Sequence, residues 1–301
     1  MKKILIAGGS GLVGQSLSKA FLQQGDDVNW LSRNQQENRY KSYYWNPETN
    51  EIDKNSFHSQ DVLIQLAGCS IGDKPWSNQR KKEIVNSRIQ AIQTIYNHLK
   101  TEHIRIPQII QVSAIGYYGD REDENLSENA SPGKHGFLAE VCKEWEQEAM
   151  RLQEFTDHFC ILRIGLYLST KGGIWPKMIQ TTPFHLLNYF GSGKQYYSWI
   201  HFEDFNRAVS FLIDKQLDGI FNMTAPNPIA NKAFMNQIKN QFTKWMLLIG
   251  IPQFVLKLIL GEQIELLMTS AYVLPTGLQA QGFQFKFESS EKAIKNLLKE
   301  D

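Results

Sequence analysis

Apolar and polar positions fall in blocks that spell strand, helix, strand from the first residues onward. The run Ile4-Leu5-Ile6-Ala7 is continuous, as in a strand covered on both faces, and Leu12, Val13, Leu17, Ala20, Phe21 and Leu22 follow at helical spacing. After Gly25 a second apolar run, Val28-Asn29-Trp30-Leu31, completes one βαβ unit. Next come a short strand and turn in Tyr43-Tyr44-Trp45-Asn46-Pro47, a core strand over 62–66, and a long helix over 78–100 with Ile84, Ile92, Ile95 and Leu99 on one face. The pattern then predicts a strand over 108–113, a helix over 138–152 and a last long parallel strand over 159–164. Such alternation predicts an α/β fold, a Rossmann-type doubly wound parallel sheet with a smaller mixed C-terminal lobe.

Beyond Gly172 the signals shorten. Gly191-Ser192-Gly193 reads as a hairpin turn and 219–224 as a strand. The most apolar stretch, 245–260, is interrupted by Gly250, Pro252, Gln253 and Lys257. A membrane span needs about twenty apolar residues, so this stretch reads as a buried helical hairpin.

Composition narrows the partners. The 32 basic and 31 acidic residues nearly cancel, which argues against nucleic acid and an anionic membrane and favours a small-molecule ligand. Cysteines at 69, 142 and 160 show no paired spacing, and Lys2-Lys3 lead at once into a strand rather than a signal peptide, so a cytoplasmic setting is expected. No His, Cys or carboxylate cluster has the spacing of a metal site.

The chemistry concentrates between the first strand and helix, in Gly8-Gly9-Ser10-Gly11-Leu12-Val13-Gly14. Glycines at 8, 11 and 14 permit positive φ, close approach of backbone to a pyrophosphate, and tight helix-on-strand packing, while the helix N-terminus offers free N–H groups to phosphates. At the end of the second strand a carboxylate would bond a ribose 2′-hydroxyl; this chain has Ser32-Arg33-Asn34 and no acidic residue over 31–36. Arg33 can pair bidentately with a 2′-phosphate and Ser32 can add a hydrogen bond, which points to NADP(H). A solvated Arg33 with no ligand is the alternative. After Leu66, Ala67-Gly68 supply small residues where the third core strand meets the adenine and ribose side.

The glycine spacing resembles that of the extended, epimerase-like members of the short-chain dehydrogenase/reductase superfamily. Leu66-Ala67-Gly68, Val112 to Gly119, Leu162-Arg163-Ile164-Gly165 and Trp199-Ile200-His201-Phe202-Glu203-Asp204 match that branch along the whole chain. Lys74-Pro75-Trp76, Glu83, Ser87-Arg88, Trp145-Glu146, Leu274-Pro275 and Gly282 to Phe285 resemble, more narrowly, the epimerase family proteins with a short C-terminal domain of unknown function, some labelled cell-division-inhibitor-like. The resemblance implies NADP(H) along the glycine loop, Ser32, Arg33, Leu66, Ala67 and Gly68. It places Glu83 and Arg88 toward the cofactor, with Ser113, Arg163 and Tyr167 on the same groove. It also implies an NADP-binding epimerase-like domain over 1–230 and a mostly helical C-terminal domain over 231–301. That second part is expected to cover the substrate side of the groove, or to form a homodimer contact through Pro252, Phe254, Leu256 and Leu260.

Such reductases use a Tyr and, four residues on, a Lys that lowers its pKa. Both should lie on the helix after the Ser113 strand, which reads Gly136-Phe137-Leu138-Ala139-Glu140-Val141-Cys142-Lys143 without a tyrosine. The usual hydroxyl position falls on Ala114. Tyr96 to Lys100 and Tyr167 to Lys171 have the spacing in the wrong context. Ser113 and Tyr117 are the candidate catalytic groups; Tyr118, Glu140 and His201 are further acid–base candidates, with His201 also explicable as a core residue. The expectation is an NADP(H)-binding oxidoreductase or epimerase acting on a small molecule or nucleotide sugar. The rival is a non-catalytic NADP(H) sensor that acts on another protein.

Overall fold

The structure, a computed structural model, describes residues 1–34, 40–242 and 245–300, so part of the polar stretch after Asn34 lies outside the described residues. The first elements are β1 (Lys3–Ala7), α1 (Leu12–Gln23), β2 (Asp27–Ser32), β3 (Lys41–Asn46), β4 (Glu51–Ile52) and β5 (Val62–Gln65). They are followed by α2 (Asn78–Thr101), β6 (Ile106–Ala114) and α3 (Phe137–Ala149). Strands Thr156–Ile164 and Gly219–Met223 complete an eight-stranded sheet in the order Gly219–Met223, Thr156–Ile164, β6, β5, β1, β2, β3, β4. Every neighbouring pair is parallel except β3 with β4.

Ile4, Leu5 and Ile6 of β1 are wholly buried because helices cover both faces of the sheet, and each such side chain contributes roughly 1.5–3 kcal/mol relative to exposure. Connections leave β1 toward β2 on one side and β5 lies on the other. This puts the β1 and β5 loops together at the carboxyl edge, the position of a ligand crevice in open α/β sheets. Leu168, Trp175, Trp199, Phe234, Ile294 and Leu297 form a second apolar core, drawn from both sides of residue 230.

Three expectations need correction. Gly219–Met223 extends the parallel sheet beyond the strand taken as its last, pairing Phe221 with Leu162. The turn at 191–193 exists, with Gly193 N–H donating to Phe190 O at 2.9 Å, but it joins no hairpin. Leu186–Phe190 pairs in parallel with Leu247–Ile251, whereas Tyr196–Tyr197 pairs with Ile229–Ala230. The stretch read as a buried helical hairpin is the strand Leu247–Ile251 followed by the helix Gln253–Leu260. Pro252, lacking an N–H and fixed in φ, stands at the switch between the two. Leu256 is buried there, while Phe254 and Leu258 are 75% and 87% exposed. Among the described residues no helix is long and apolar enough to cross a membrane.

His201 is wholly buried at the start of the helix Phe202–Asp214, where its Nδ1 accepts the Glu203 N–H at 3.2 Å and its ring lies 3.8 Å from that of Phe287. Burial pushes its pKa down to about 4, so the native ring is neutral and serves packing and capping rather than proton transfer. An unfolded imidazole takes a proton below about pH 6.5. The native state refuses that proton until about pH 4, so stability is complete above 6.5 and is lost as pH falls between these values. Urea unfolding across this window is expected to show a loss of about 3 kcal/mol that H201Q largely removes. An unchanged slope in the variant would contradict this assignment.

Candidate functional site

The turn from β1 into α1 is built from close backbone contacts. Gly8 has φ +87°, and a Cβ there would stand 3.0 Å from the Ala67 backbone nitrogen; a Cβ on Gly14 would overlap Gly8 O and Gly9. Gly11 N–H donates to Gly8 O at 3.1 Å, closing the turn, and Gly11 caps α1 without a side-chain bond. The first turn of α1 carries no acidic side chain, so its leading N–H groups and the positive end of its dipole face an uncrowded, anion-friendly edge. Ser10 and Gly11 are exposed there, with Leu12 and Val13 half-buried behind them. This cradle fits a dinucleotide pyrophosphate, whose oxygens would meet the loop and the start of α1.

At the end of β2 the Arg33 guanidinium is 72% exposed, and among the described residues it meets the exposed Glu48 carboxylate at 3.7 Å. Ser32 closes a local turn, its hydroxyl donating to Asn34 O at 2.7 Å. Leu66 and Ala67 continue from β5 beside the glycine loop: Leu66 N–H donates to Ala7 O at 2.9 Å and Ala67 N–H to Gln65 Oε1 at 3.0 Å. Gly68 leaves room for Arg88, whose Cγ would lie 3.0 Å from a Cβ at that position. Arg88 Nη1 donates to the carbonyls of Ile84 and Cys69 at 2.9 and 3.2 Å, and its guanidinium lies 4.9 Å from the centre of the Trp145 ring. Glu83 sits outward on α2, paired with Arg80 at 3.0 Å, and Arg80 in turn binds Asp73 at 2.8 Å. The Arg80 hydrogen bond holds the Glu83 carboxyl below its usual range.

Three of the residues expected around the reaction centre, Ser113, Arg163 and Tyr118, are engaged inside the protein, joined there by Asn222. Ser113, Arg163, Tyr118 and Asn222 form a buried network with Glu146 of α3. Arg163 Nε and Nη2 donate to the two Glu146 oxygens at 2.9 and 2.8 Å, Ser113 Oγ donates to Oε1 at 2.7 Å, and Arg163 Nη1 donates to Tyr118 OH at 2.9 Å. Tyr118 OH in turn donates to Asn222 Oδ1 at 2.7 Å. Burial opposes the charge on Arg163, but Glu146 and Tyr118 hold its pKa above the usual value. Tyr117 lays its ring over the Arg163 guanidinium at 3.5 Å. These side chains lock α3 to the sheet; Ser113 and Arg163 have their polar atoms engaged inside the protein.

Tyr167 also points elsewhere than its sequence context suggests. Side chains alternate along the strand Leu166–Ser169, so Leu166 lines the cleft while Tyr167 packs edge-on against Phe205 at 5.5 Å. Burial raises its phenol to about 12. Tyr96 lies under Arg151, whose guanidinium is 4.0 Å from the ring centre, and bonds Glu154 through its hydroxyl, away from the cleft.

Beyond the ends of β6 and Thr156–Ile164 lies a pocket of about 240 Å³. Its wall includes Ala114, Gly116, Leu138, Cys142 and Trp145, together with Leu166, Tyr196 and Arg88. Leu138 and Cys142, four apart on one face of α3, present a hydrocarbon and a thiol to the pocket. Burial raises the Cys142 thiol to about 11, leaving it protonated at neutral pH. The far wall comes from residues 265–271 near the chain's end, a contribution no local motif announces. A larger open hollow of about 670 Å³ runs between α1 and the helix Phe202–Asp214 and shares only Leu12 with the expected cofactor residues.

The parallel sheet, the glycine cradle and the cleft beyond β6 together define a Rossmann-type α/β protein with a crevice fit for a dinucleotide. The profile of the NAD dependent epimerase/dehydratase family matches residues 4–223, and that of a domain of unknown function (DUF1731) matches 251–297. An epimerase family protein of Staphylococcus aureus is 31% identical over 306 residues, covering 100% of both chains. The chain therefore belongs to the NAD dependent epimerase/dehydratase family, among its epimerase family proteins, and the family binds NAD or NADP. A human epimerase family protein crystallised with NADPH superposes with a TM-score of 0.89 over 99% of each chain at 23% identity. A nucleoside-diphosphate sugar epimerase of Corynebacterium glutamicum gives 0.78 at 25% identity, covering 99% of this chain and 58% of the other.

The Glu146–Arg163 pair makes one structural requirement measurable. Glu146→Gln leaves the guanidinium buried without a counter-charge, which is expected to cost about 3–5 kcal/mol in urea unfolding. A loss below about 1 kcal/mol, the range of exposed pairs, would contradict the buried network.

Proposed function

We propose that the chain is an NADP(H)-dependent oxidoreductase of the cytoplasm that acts on a small molecule in the pocket beyond β6. The observation that carries the cofactor choice is Arg33: a cation at the end of β2, 72% exposed and, among the described residues, held by a 3.7 Å contact to Glu48, where an NAD-binding chain would carry a carboxylate. The human relative crystallised with NADPH supports this reading. The expected cofactor contacts are Gly8, Ser10, Gly11, Leu12, Val13 and Gly14 on the phosphates, Ser32 and Arg33 on the 2′-phosphate, and Leu66, Ala67 and Gly68 along the ribose. Arg88 of α2 reaches past Gly68 into the pocket wall. Glu83 belongs to the rim of the same groove.

NADP(H) supplies hydride exchange at a carbon of the bound compound. The protein's part is to hold that carbon against apolar walls and to place a hydrogen-bond donor on its oxygen. Ser113 has its hydroxyl bonded to Glu146, and Tyr117 lies with its ring on Arg163 outside the lining of that pocket. The hydrocarbon and neutral thiol of Leu138 and Cys142 favour one second reading, a cofactor-binding sensor without turnover.

Fluorescence energy transfer from tryptophan to reduced nicotinamide tests the cofactor choice. NADPH is expected to bind more tightly than NADH. R33A should lose about 1–3 kcal/mol for NADPH with NADH nearly unchanged, the usual value of a charged hydrogen bond. Equal affinity of the native protein for both nucleotides would overturn the assignment.

A further inference from the structure

The strands Leu186–Phe190 and Leu247–Ile251 form a two-stranded sheet with one face inward and one outward. Leu187 and Leu248, paired across it, are turned toward the second apolar core. Leu247 and Ile249, one position to either side, are therefore turned outward, and both are exposed. The helix Gln253–Leu260 follows directly, burying Leu256 and holding Phe254, Leu258 and Ile259 out in solvent. At the other end of the sheet, Leu247 N–H donates to His185 O at 2.8 Å, which brings the chain entering through Trp245 beside that entering through Phe184. These two rings are 74% and 75% exposed. Single exposed apolar residues are ordinary; so many large ones on adjoining elements mark an interaction surface.

The segments that carry this surface are basic throughout. Residues 219–261 contain Lys232, Lys239, Lys244 and Lys257 and no Asp or Glu, and residues 170–202 contain Lys171, Lys177 and Lys194, again without a carboxylate. The near balance of 32 basic and 31 acidic residues thus conceals a cationic region set against a remainder richer in carboxylates. Lys257 stands exposed on the helix between Phe254 and Leu258. Lys177 and Lys239 lie on the helices Trp175–Ile179 and Asn231–Asn240, both packed on Leu186–Phe190. Among the described residues the lysines in ion pairs are Lys2, Lys81 and Lys286, all outside these segments. Glu262, the first carboxylate after the helix, is taken by Lys81.

Side chains three-quarters exposed project from the surface. A folded partner would need a matching hollow for each ring, whereas the acyl boundary of a bilayer closes round what enters it. A second copy meeting this face across a two-fold axis would bring lysine against lysine, with no carboxylate in either segment to offset them. An anionic lipid surface satisfies both features, with phosphates for the lysines and hydrocarbon for the rings. The helix of eight residues, about 12 Å long, is too short to cross a hydrocarbon core of about 30 Å and would lie along the interface. We infer that this face docks the protein reversibly on an anionic bilayer surface, with Trp245, Phe254 and Leu258 entering the headgroup–acyl boundary and Lys177, Lys239 and Lys257 meeting lipid phosphates. This docking is independent of the oxidoreductase reading and adds a place of action to it.

Flotation of the full chain with vesicles tests it, using phosphatidylcholine alone or mixed with phosphatidylserine. Binding to the mixed vesicles should be about tenfold or more tighter and should weaken as salt screens the lysines. Trp245 is a built-in reporter, because the other tryptophans are buried. Its emission should shift to the blue on mixed vesicles and be quenched by brominated acyl chains, and W245F should lose both changes. Phe254→Ser combined with Leu258→Ser should abolish flotation while the urea midpoint stays native, since both side chains are exposed. Lys257→Ala should weaken binding about fivefold, the worth of one lysine beside an anionic surface. No flotation with mixed vesicles, equal flotation with phosphatidylcholine alone, no quenching of Trp245, or full binding by the double-serine variant would overturn the inference. A dimer by analytical ultracentrifugation in which iodide no longer reaches Trp245 would assign the face to a second copy and overturn it as well.

Discussion

The site depends on how closely backbone packs against backbone at Gly8 and Gly14. A single added carbon at Gly14 would overlap Gly8 O, and one at Gly8 would press on Ala67, so α1 can start directly above β1 only without those side chains. That contact aims the helix N-terminus along the sheet edge and brings the β5 loop beside the glycine turn. Everything offered to a dinucleotide follows from it: exposed N–H groups, a positive dipole end, and an Arg33 side chain one strand away.

A second constraint holds the other half of the groove. Arg163 and Glu146 satisfy one another bidentately beneath the cleft, and Ser113, Tyr118 and Asn222 take up remaining bonding positions. A buried ion pair of this sort costs desolvation and fixes geometry: α3 cannot slide along the sheet without stranding a charge. Its pocket face then presents Leu138 and Cys142 in a set orientation, and Glu265 ties the chain's last part to the same helix. Leu138 and Cys142 are thus held as part of a rigid, mostly apolar wall.

Much of this was legible in the sequence, for physical reasons that differ by element. Glycine at 8, 11 and 14 between a buried strand and an amphipathic helix is readable because steric constraint acts locally, over a few residues. The missing tyrosine on 137–143 was readable in the same way. Arg163 was harder to place, since an arginine at a strand's carboxyl end reads as a ligand contact until its partner on α3 is seen. Tyr167 and Leu166 exchange roles through strand alternation, which depends on register. Glu265 meets α3 across 128 and 127 positions, and no local pattern signals such a contact. The stretch 245–260 misled because a helix and a strand can share a short apolar run, and Pro252 decides between them.

The central claim is that the glycine turn and the β5 end bind one cofactor together, and amide hydrogen exchange with and without NADPH tests it most directly. The account expects slowed exchange in 8–14 and 66–69, with the outer face of the helix 253–260 unchanged. Saturating NADPH that leaves both loops exchanging at their free rates would contradict it.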